Sequence, residues 1–178
     1  AKAMGTKIIG DIISDLDLNL LQIDNSQDGK FMNITCANEP IVFSTPSYPV
    51  PFGLEESYNN KFIKLSLRNI RKSPEAQELY TFIESIEKKL VELIPNCNEI
   101  QSQLRNSAKY DPVLTVKIPM GKNAVIADVK DSTGAPFNLY GLSKGDFVRC
   151  ILVIDTVWYF RGKYSYKIKA KEIIVERD

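Results

Sequence analysis

From Trp158 to Lys171 the chain reads Trp-Tyr-Phe-Arg-Gly-Lys-Tyr-Ser-Tyr-Lys-Ile-Lys-Ala-Lys, so aromatic rings and basic side chains interleave with no acid between them. The chemistry open to such a run is non-covalent. Aromatic faces stack on unpaired bases, at roughly 1–3 kcal/mol per base, while Lys and Arg follow the phosphates of the same strand. A second set repeats the pattern on another stretch, where Phe62, Lys64 and Arg68 alternate with Ile63, Leu65 and Leu67. Lys117 stands in a third alternating stretch. The residues expected to make contacts are Tyr159, Arg161, Lys163, Lys167, Lys169, Lys171 and Arg149, together with Phe62, Lys64, Arg68 and Lys117. The partner such a surface fits is single-stranded nucleic acid. DNA and RNA both stay open, because the contacts to the 2′-hydroxyl that separate them cannot be read from residue types.

The rest of the composition narrows the alternatives. The 178 residues are 44% hydrophobic and 25% charged, which is ordinary for a globular chain. A formal net charge of +1 does not advertise a nucleic-acid partner, so a basic footprint must come from where the charges sit. The acids gather in the N-terminal third and in the stretch around residues 75–92. There is no histidine, which removes Ser-His and Cys-His nucleophiles, histidine acid–base chemistry and most zinc sites. Cys36, Cys97 and Cys150 form no Cys-x-x-Cys pair and argue against a disulfide framework, so a reducing compartment is expected. No apolar run approaches a membrane span, and neither a membrane partner nor a cofactor is expected. Asp15 with Asp17, and Asp128 with Asp131, are the carboxylate pairs that a metal-dependent nuclease would need. Turn chemistry explains such pairs equally well, and the chain is read as a binding protein rather than an enzyme. A protein-interaction module is the other alternative. It would use Phe62 and the proline-rich stretch Tyr48 to Gly53, with a second copy of the chain as one partner.

These residues need elements to hold them. Ala1 to Thr6 reads as a vector remnant, and residues 7–178 as one domain with an N-terminal β elaboration. Lys7 to Leu18 fits either a strand or a short helix. Leu20 to Ile23 and Phe31 to Cys36 flank the turn cluster Asn25 to Gly29 and suggest a hairpin. Ile41 to Phe43 is a short strand. The alternate prolines of Ser47 to Gly53 make an extended crossing loop. Lys61 to Leu67 is a strand with Ile63, Leu65 and Leu67 on one face. Ser73 caps a helix over about 74–94 with Pro74 in its first turn, and Leu79, Phe82, Ile83, Ile86, Leu90 and Leu93 form its apolar stripe. Asn96 to Pro112 is a loop or a weak second helix. Leu114 to Ile118 and Ala124 to Val129 are strands.

Asp146 to Phe160 and Tyr164 to Val175 form the longest hairpin, closed by Arg161-Gly162-Lys163. Alternation assigns Val148, Cys150, Leu152, Ile154, Trp158 and Phe160 to the core face, with Arg149, Asp155, Tyr159 and Arg161 opposite. On the return strand Tyr164, Tyr166, Ile168 and Ala170 face in and the lysines face out, with a bulge near Glu172-Ile173. Trp158 is thus expected to pack in the core, and Tyr159 beside Arg161 to be the exposed stacking ring. Many strands and one helix describe a mostly β, antiparallel α+β or barrel-type domain.

Ile41 to Pro46, Pro51-Phe-Gly53, the strand Lys61 to Leu67 and the helix after it resemble the OB-fold single-stranded DNA-binding proteins of large nucleocytoplasmic DNA viruses, the African swine fever virus type among them. Lys117-Ile-Pro119, Trp158-Tyr-Phe160 and Gly162-Lys-Tyr164 are similar to that family's closing hairpin, and the likeness covers about Ile41 to Val175. The resemblance implies an antiparallel OB-fold-like barrel that coats exposed viral DNA without strong sequence preference. The setting it implies is replication or repair in factories of the host cytoplasm, alongside other viral replication proteins. It places Phe52, Trp158 and Tyr164 at recurrent positions. The family's second tryptophan meets only Tyr166 or Ile168 here.

Overall fold

The computed structural model describes residues 17–25, 31–122 and 124–177. The expected vector remnant, the Lys7 to Leu18 element as far as residue 16, and Asp15 lie outside the described residues. Among the described residues fourteen strands build two sheets and one α-helix packs against them. The first five-stranded sheet joins β1 (Leu21–Asn25), β2 (Phe31–Cys36), β12 (Thr156–Phe160), β13 (Lys163–Tyr166) and β7 (Ile100–Gln101), in that order. The second, nine-stranded sheet runs β3 (Ile41–Ser44), β11 (Phe147–Ile154), β14 (Lys169–Glu176), β9 (Val113–Ile118), β6 (Asn60–Ser66) and β5 (Glu55–Ser57). The short strands β4 (Tyr48–Pro49), β8 (Leu104–Arg105) and β10 (Asp128–Asp131) pair with β11, β9 and β14 respectively.

The mostly β character and the single helix match the expectation. The antiparallel barrel needs correction. β10 and β9 pair with β14 in parallel, and β7 pairs with β13 in parallel, so both sheets are mixed. The larger sheet curls until β4 lies beside β6, but no β4–β6 ladder closes it into a barrel.

Helix α1 (Pro74–Leu93) starts where the sequence places it: the Ser73 hydroxyl accepts from the Ala76 N–H at 3.2 Å. Its buried face, Ala76, Leu79, Phe82, Ile83, Ile86 and Leu90, packs into the same core as both sheets, and Phe82 meets Phe43 edge-on at 5.2 Å. Burial of each such aliphatic or aromatic side chain contributes about 1.5–3 kcal/mol. Among the described residues no helix is long and apolar enough to cross a membrane.

Three differences from the sequence reading shape the functional surface. Tyr48–Pro49 inside the expected crossing loop pairs with Phe147 and Val148 as a two-residue edge strand, where proline's missing N–H does no harm. The expected loop after α1 contributes two-residue strands at β7 and β8. The long hairpin is broken on both sides. β11 leaves the larger sheet at Ile154 and β12 enters the smaller one at Thr156, with Asp155 as the corner; on the way back Lys167 and Ile168 separate β13 from β14. A register shift between Ile151 and Leu152, which pair with Glu172 and Ala170, leaves Lys171 as the bulged residue, next to the expected position.

Candidate nucleic-acid interface

The corner at Asp155 decides which side chains reach the surface. Before it, Val148, Cys150, Leu152 and Ile154 are buried, and Cys150 is so enclosed that its thiol is pushed up to about 12. After it, Thr156 and Val157 are both buried, so the alternation slips by one residue. Trp158 and Phe160 therefore leave the core face. Trp158 is only partly buried and Phe160 is 69% exposed, which corrects the expectation that both belong to the core. The turn enforces the same phase from the other end. Phe160 pairs with Lys163 across Arg161 (φ 51°) and Gly162 (φ 83°), a two-residue type I′ connection. Val157 then faces Tyr166, and both are fully buried.

Trp158 comes to lie beneath two lysines. Lys169 Nζ is 5.4 Å and Lys117 Nζ 5.8 Å from the ring centroid, within cation–π range. Lys117 is the centre of the arrangement. Its backbone N–H donates to the Ile168 carbonyl at 2.8 Å, its Cα is opposite Lys169 on β14 and Phe62 on β6, and its charge reaches Lys167. Burial, and secondarily the positive charge of Lys117, hold Lys167 below the usual lysine range. Neither Lys117 nor Lys167 has an ion-pair partner among the described residues. Two like charges kept together without a carboxylate are a ready seat for an anion.

The strip continues across β6. Lys64 Nζ lies 5.7 Å from the Phe62 ring and 5.3 Å from the exposed Phe52 ring, and 3.6 Å from Glu55. Phe62, Lys117, Lys167 and Thr115 form the floor of a groove of about 460 Å³. One wall is the β5–β6 hairpin, whose tip Tyr58 is 96% exposed; the other is Gln101 to Arg105. That second wall is held by Glu87 of α1. The Glu87 carboxylate accepts from the Ser102 hydroxyl at 3.0 Å, from the Gln103 N–H at 3.0 Å and from the buried Tyr166 hydroxyl in a short hydrogen bond. The Gln103 side-chain amide donates to the Tyr166 carbonyl at 2.8 Å.

The structure thus brings Phe62, Lys64, Lys117, Lys167 and Lys169 together, and Lys163 starts β13, in the β12–β13 hairpin that carries Trp158. Lys169 also donates to Asp155 at 3.0 Å, which pins it over Trp158. Five expected residues are placed elsewhere. Tyr159 sits on the opposite side of the hairpin, against Tyr164 at 4.8 Å. Arg161 occupies the turn and lies over Phe160 at 5.1 Å. Arg149 is tied to Glu176 at 3.1 Å, and Arg68 lies 5.9 Å from the Phe147 ring at the far end of β6. Lys171 is exposed at the bulge. Trp158 as a surface ring, Tyr58, Phe52 and the Gln101 to Arg105 wall were not among the residues expected to make contacts. The two-residue turn is the sequence signal that exposes Trp158; the polar wall carries none.

Asp15 of the first expected carboxylate pair lies outside the described residues, and the second pair, Asp128 with Asp131, is held by local contacts. Asp131 accepts from the Thr133 hydroxyl at 2.6 Å and from the Thr133 and Ala135 N–H groups, which lowers its pKa, and Asp128 lies 3.5 Å from Lys130. No group of three His, Cys, Asp or Glu side chains converges among the described residues.

No family model matches the chain, and no curated protein matches its sequence. Solved structures do. The chain is similar to gp2.5, a single-stranded DNA-binding protein encoded by bacteriophage T7, with a TM-score of 0.55 at 12% identity over 78% of this chain and 87% of that one. It is also similar to the single-stranded DNA-binding protein of bacteriophage Enc34, with a TM-score of 0.54 at 9% identity over 88% of this chain and 90% of that one. The same Enc34 protein in complex with single-stranded DNA gives 0.51 at 8% identity, covering 82% and 90%. At these identities the likeness is one of fold.

Proposed function

We propose that the chain binds single-stranded DNA across the face formed by β12, β14, β9 and β6, by stacking on Trp158 and Phe62 and by phosphate contacts from Lys117 and Lys167. The observation that carries this reading is Trp158 under Lys117 and Lys169, beside Lys167, with no carboxylate paired to Lys117 or Lys167 among the described residues. Stacking needs the face of an unpaired base, so single strands bind and duplexes bind poorly. Ring stacking and phosphate contacts carry no base-edge code, so little sequence preference is expected. The fold shared with phage single-stranded DNA-binding proteins supports the reading. The resemblance of Ile41 to Val175 to proteins of large DNA viruses extends it to the replication or repair of a viral genome in the cytoplasm.

The test is fluorescence anisotropy of a labelled thymidylate oligomer and of the matching duplex, read in parallel with the emission of Trp158, the single tryptophan of the chain. Tight single-strand binding that quenches Trp158, with weak duplex binding, is expected. Equal affinity for both forms, or binding that leaves Trp158 unchanged, refutes stacking on this face.

A further inference from the structure

Tyr159 is 51% exposed, yet the groove makes no use of it. With Tyr164 it walls a separate cleft of about 690 Å³ on the other side of the β12–β13 hairpin, closed opposite by residues 96–101. Two observations give this cleft a role. Gln101 lines both the cleft and the groove that holds Lys117 and Lys167, so the two spaces meet across the two-residue edge strand β7. The lining also suits an unpaired nucleotide. It offers an aromatic pair, the side chains of Asn96 and Asn98, and Lys163, a cation without an ion-pair partner among the described residues, with Glu99 as the one acid of the lining.

We propose that this cleft is a second nucleotide subsite for the same strand. The strand leaves the groove over Gln101 and stacks a base against the Tyr159–Tyr164 pair, with its phosphate at Lys163. This rests on the single-strand reading above and adds a prediction that reading does not make: the contribution of Tyr159 depends on the length of the oligomer. A chain that only reaches the groove never meets Tyr159, and a longer one does.

The experiment titrates wild type, Tyr159→Ala, Tyr159→Phe and Lys163→Ala with thymidylate oligomers from about 4 to 16 nucleotides, the span of site sizes seen for comparable folds. Trp158 lies 5.8 Å from Nζ of the groove residue Lys117, and its emission reports binding on that face. Tyr159→Ala is expected to quench and bind the shortest oligomer like wild type, and to bind the longest about 5- to 150-fold more weakly, the value of one stacked base. Tyr159→Phe keeps the ring and keeps the affinity. Lys163→Ala, at an exposed position, repeats the length dependence with a smaller loss and serves as the control for any packing change at Tyr159. Equal affinity of wild type and Tyr159→Ala at every length overturns the subsite, and so does an equal loss at every length; in both cases quenching by short oligomers leaves the groove reading standing. Wild type that neither quenches nor binds at any length overturns both.

Discussion

Replacing Lys117 by methionine removes one charge, whose Nζ lies 5.8 Å from the Trp158 ring, and keeps an unbranched side chain of similar length. Four cations line the groove and the adjoining cleft without an ion-pair partner among the described residues: Arg105, Lys117, Lys163 and Lys167. Lys61, Lys64 and Lys169 already face carboxylates. If each free cation meets a phosphate, counterion release gives a log–log salt slope of about −0.7 per contact, or about −2.8 in all. Raising salt from about 50 to 200 mM then weakens wild type about 50-fold, and Lys117→Met, with a slope of about −2.1, about 18-fold. Anisotropy across a salt series measures both slopes. An unchanged slope in Lys117→Met, whatever the affinity, refutes the placement of a phosphate at this lysine.

The same variant has a second signature in pH. Burial and the Lys117 charge depress Lys167 below 10.5, so the free protein begins to lose that proton at a pH where an exposed lysine keeps it. A bound phosphate favours the charged form and raises the pKa again. Binding therefore takes up a proton, and affinity falls as the pH rises through the free-state pKa of Lys167, below 10.5. In Lys117→Met one of the two causes of the depression is gone, and the fall moves to higher pH. Coincident pH profiles for the two proteins contradict the coupling between these lysines.

Trp158→Ala is expected to lose about 5- to 150-fold in single-strand affinity with a stability change of about 1 kcal/mol, because the ring lies outside the core; a denaturant midpoint that collapses while affinity survives would show the opposite role. Glu87→Ala leaves the Tyr166 hydroxyl buried without its acceptor, which costs roughly 1–3 kcal/mol, measured by urea unfolding, whereas Glu87→Gln retains an acceptor and loses less. Burial, and then the Glu87 charge, hold the Tyr166 hydroxyl protonated well above 10, while the unfolded chain releases that proton near 10. Its contribution to stability is therefore complete below pH 10 and declines as the pH rises beyond it; Tyr166→Phe should flatten the alkaline limb of the stability–pH curve.

The parts of the fold that were legible are those where local preference and burial agree. Ile63, Leu65 and Leu67 alternate and are all fully buried. Ser73 and Pro74 start a helix whose apolar residues repeat at the helical period. The strands β4, β7 and β8 were not legible, since each has two residues and exists because a neighbouring strand offers an edge. Parallel pairing was equally hidden: β14 meets β10 on one side and β9 at a single register point, Lys169 to Lys117, which no local pattern encodes. The Gln101 to Arg105 wall owes its place to Glu87, a helix carboxylate whose three hydrogen bonds join segments far apart in the chain.

The face of Trp158 was recoverable, and the reason lies in the turn. A two-residue connection makes Phe160 pair with Lys163, so the numbers of every facing pair in the hairpin sum to the same odd value. Even positions on one strand then share a face with odd positions on the other. Tyr166 and Ile168 must point inward, because they continue the buried series through Ala170. Val157 must therefore point inward as well, and Trp158 and Phe160 outward with Lys163, Ser165 and Lys167. Extending the alternation of β11 through Asp155 gives the wrong answer, because it treats as one strand a segment that changes sheets. Only a corner with two successive buried residues, Thr156 and Val157, satisfies both the apolar phase of β11 and the pairing imposed by Arg161-Gly162. The same corner leaves Asp155 free to hold Lys169 at 3.0 Å, above the ring that the slip has turned outward. The change of sheet is thus the device that sets an aromatic face among lysines while Ile154, Thr156 and Val157 stay in the core.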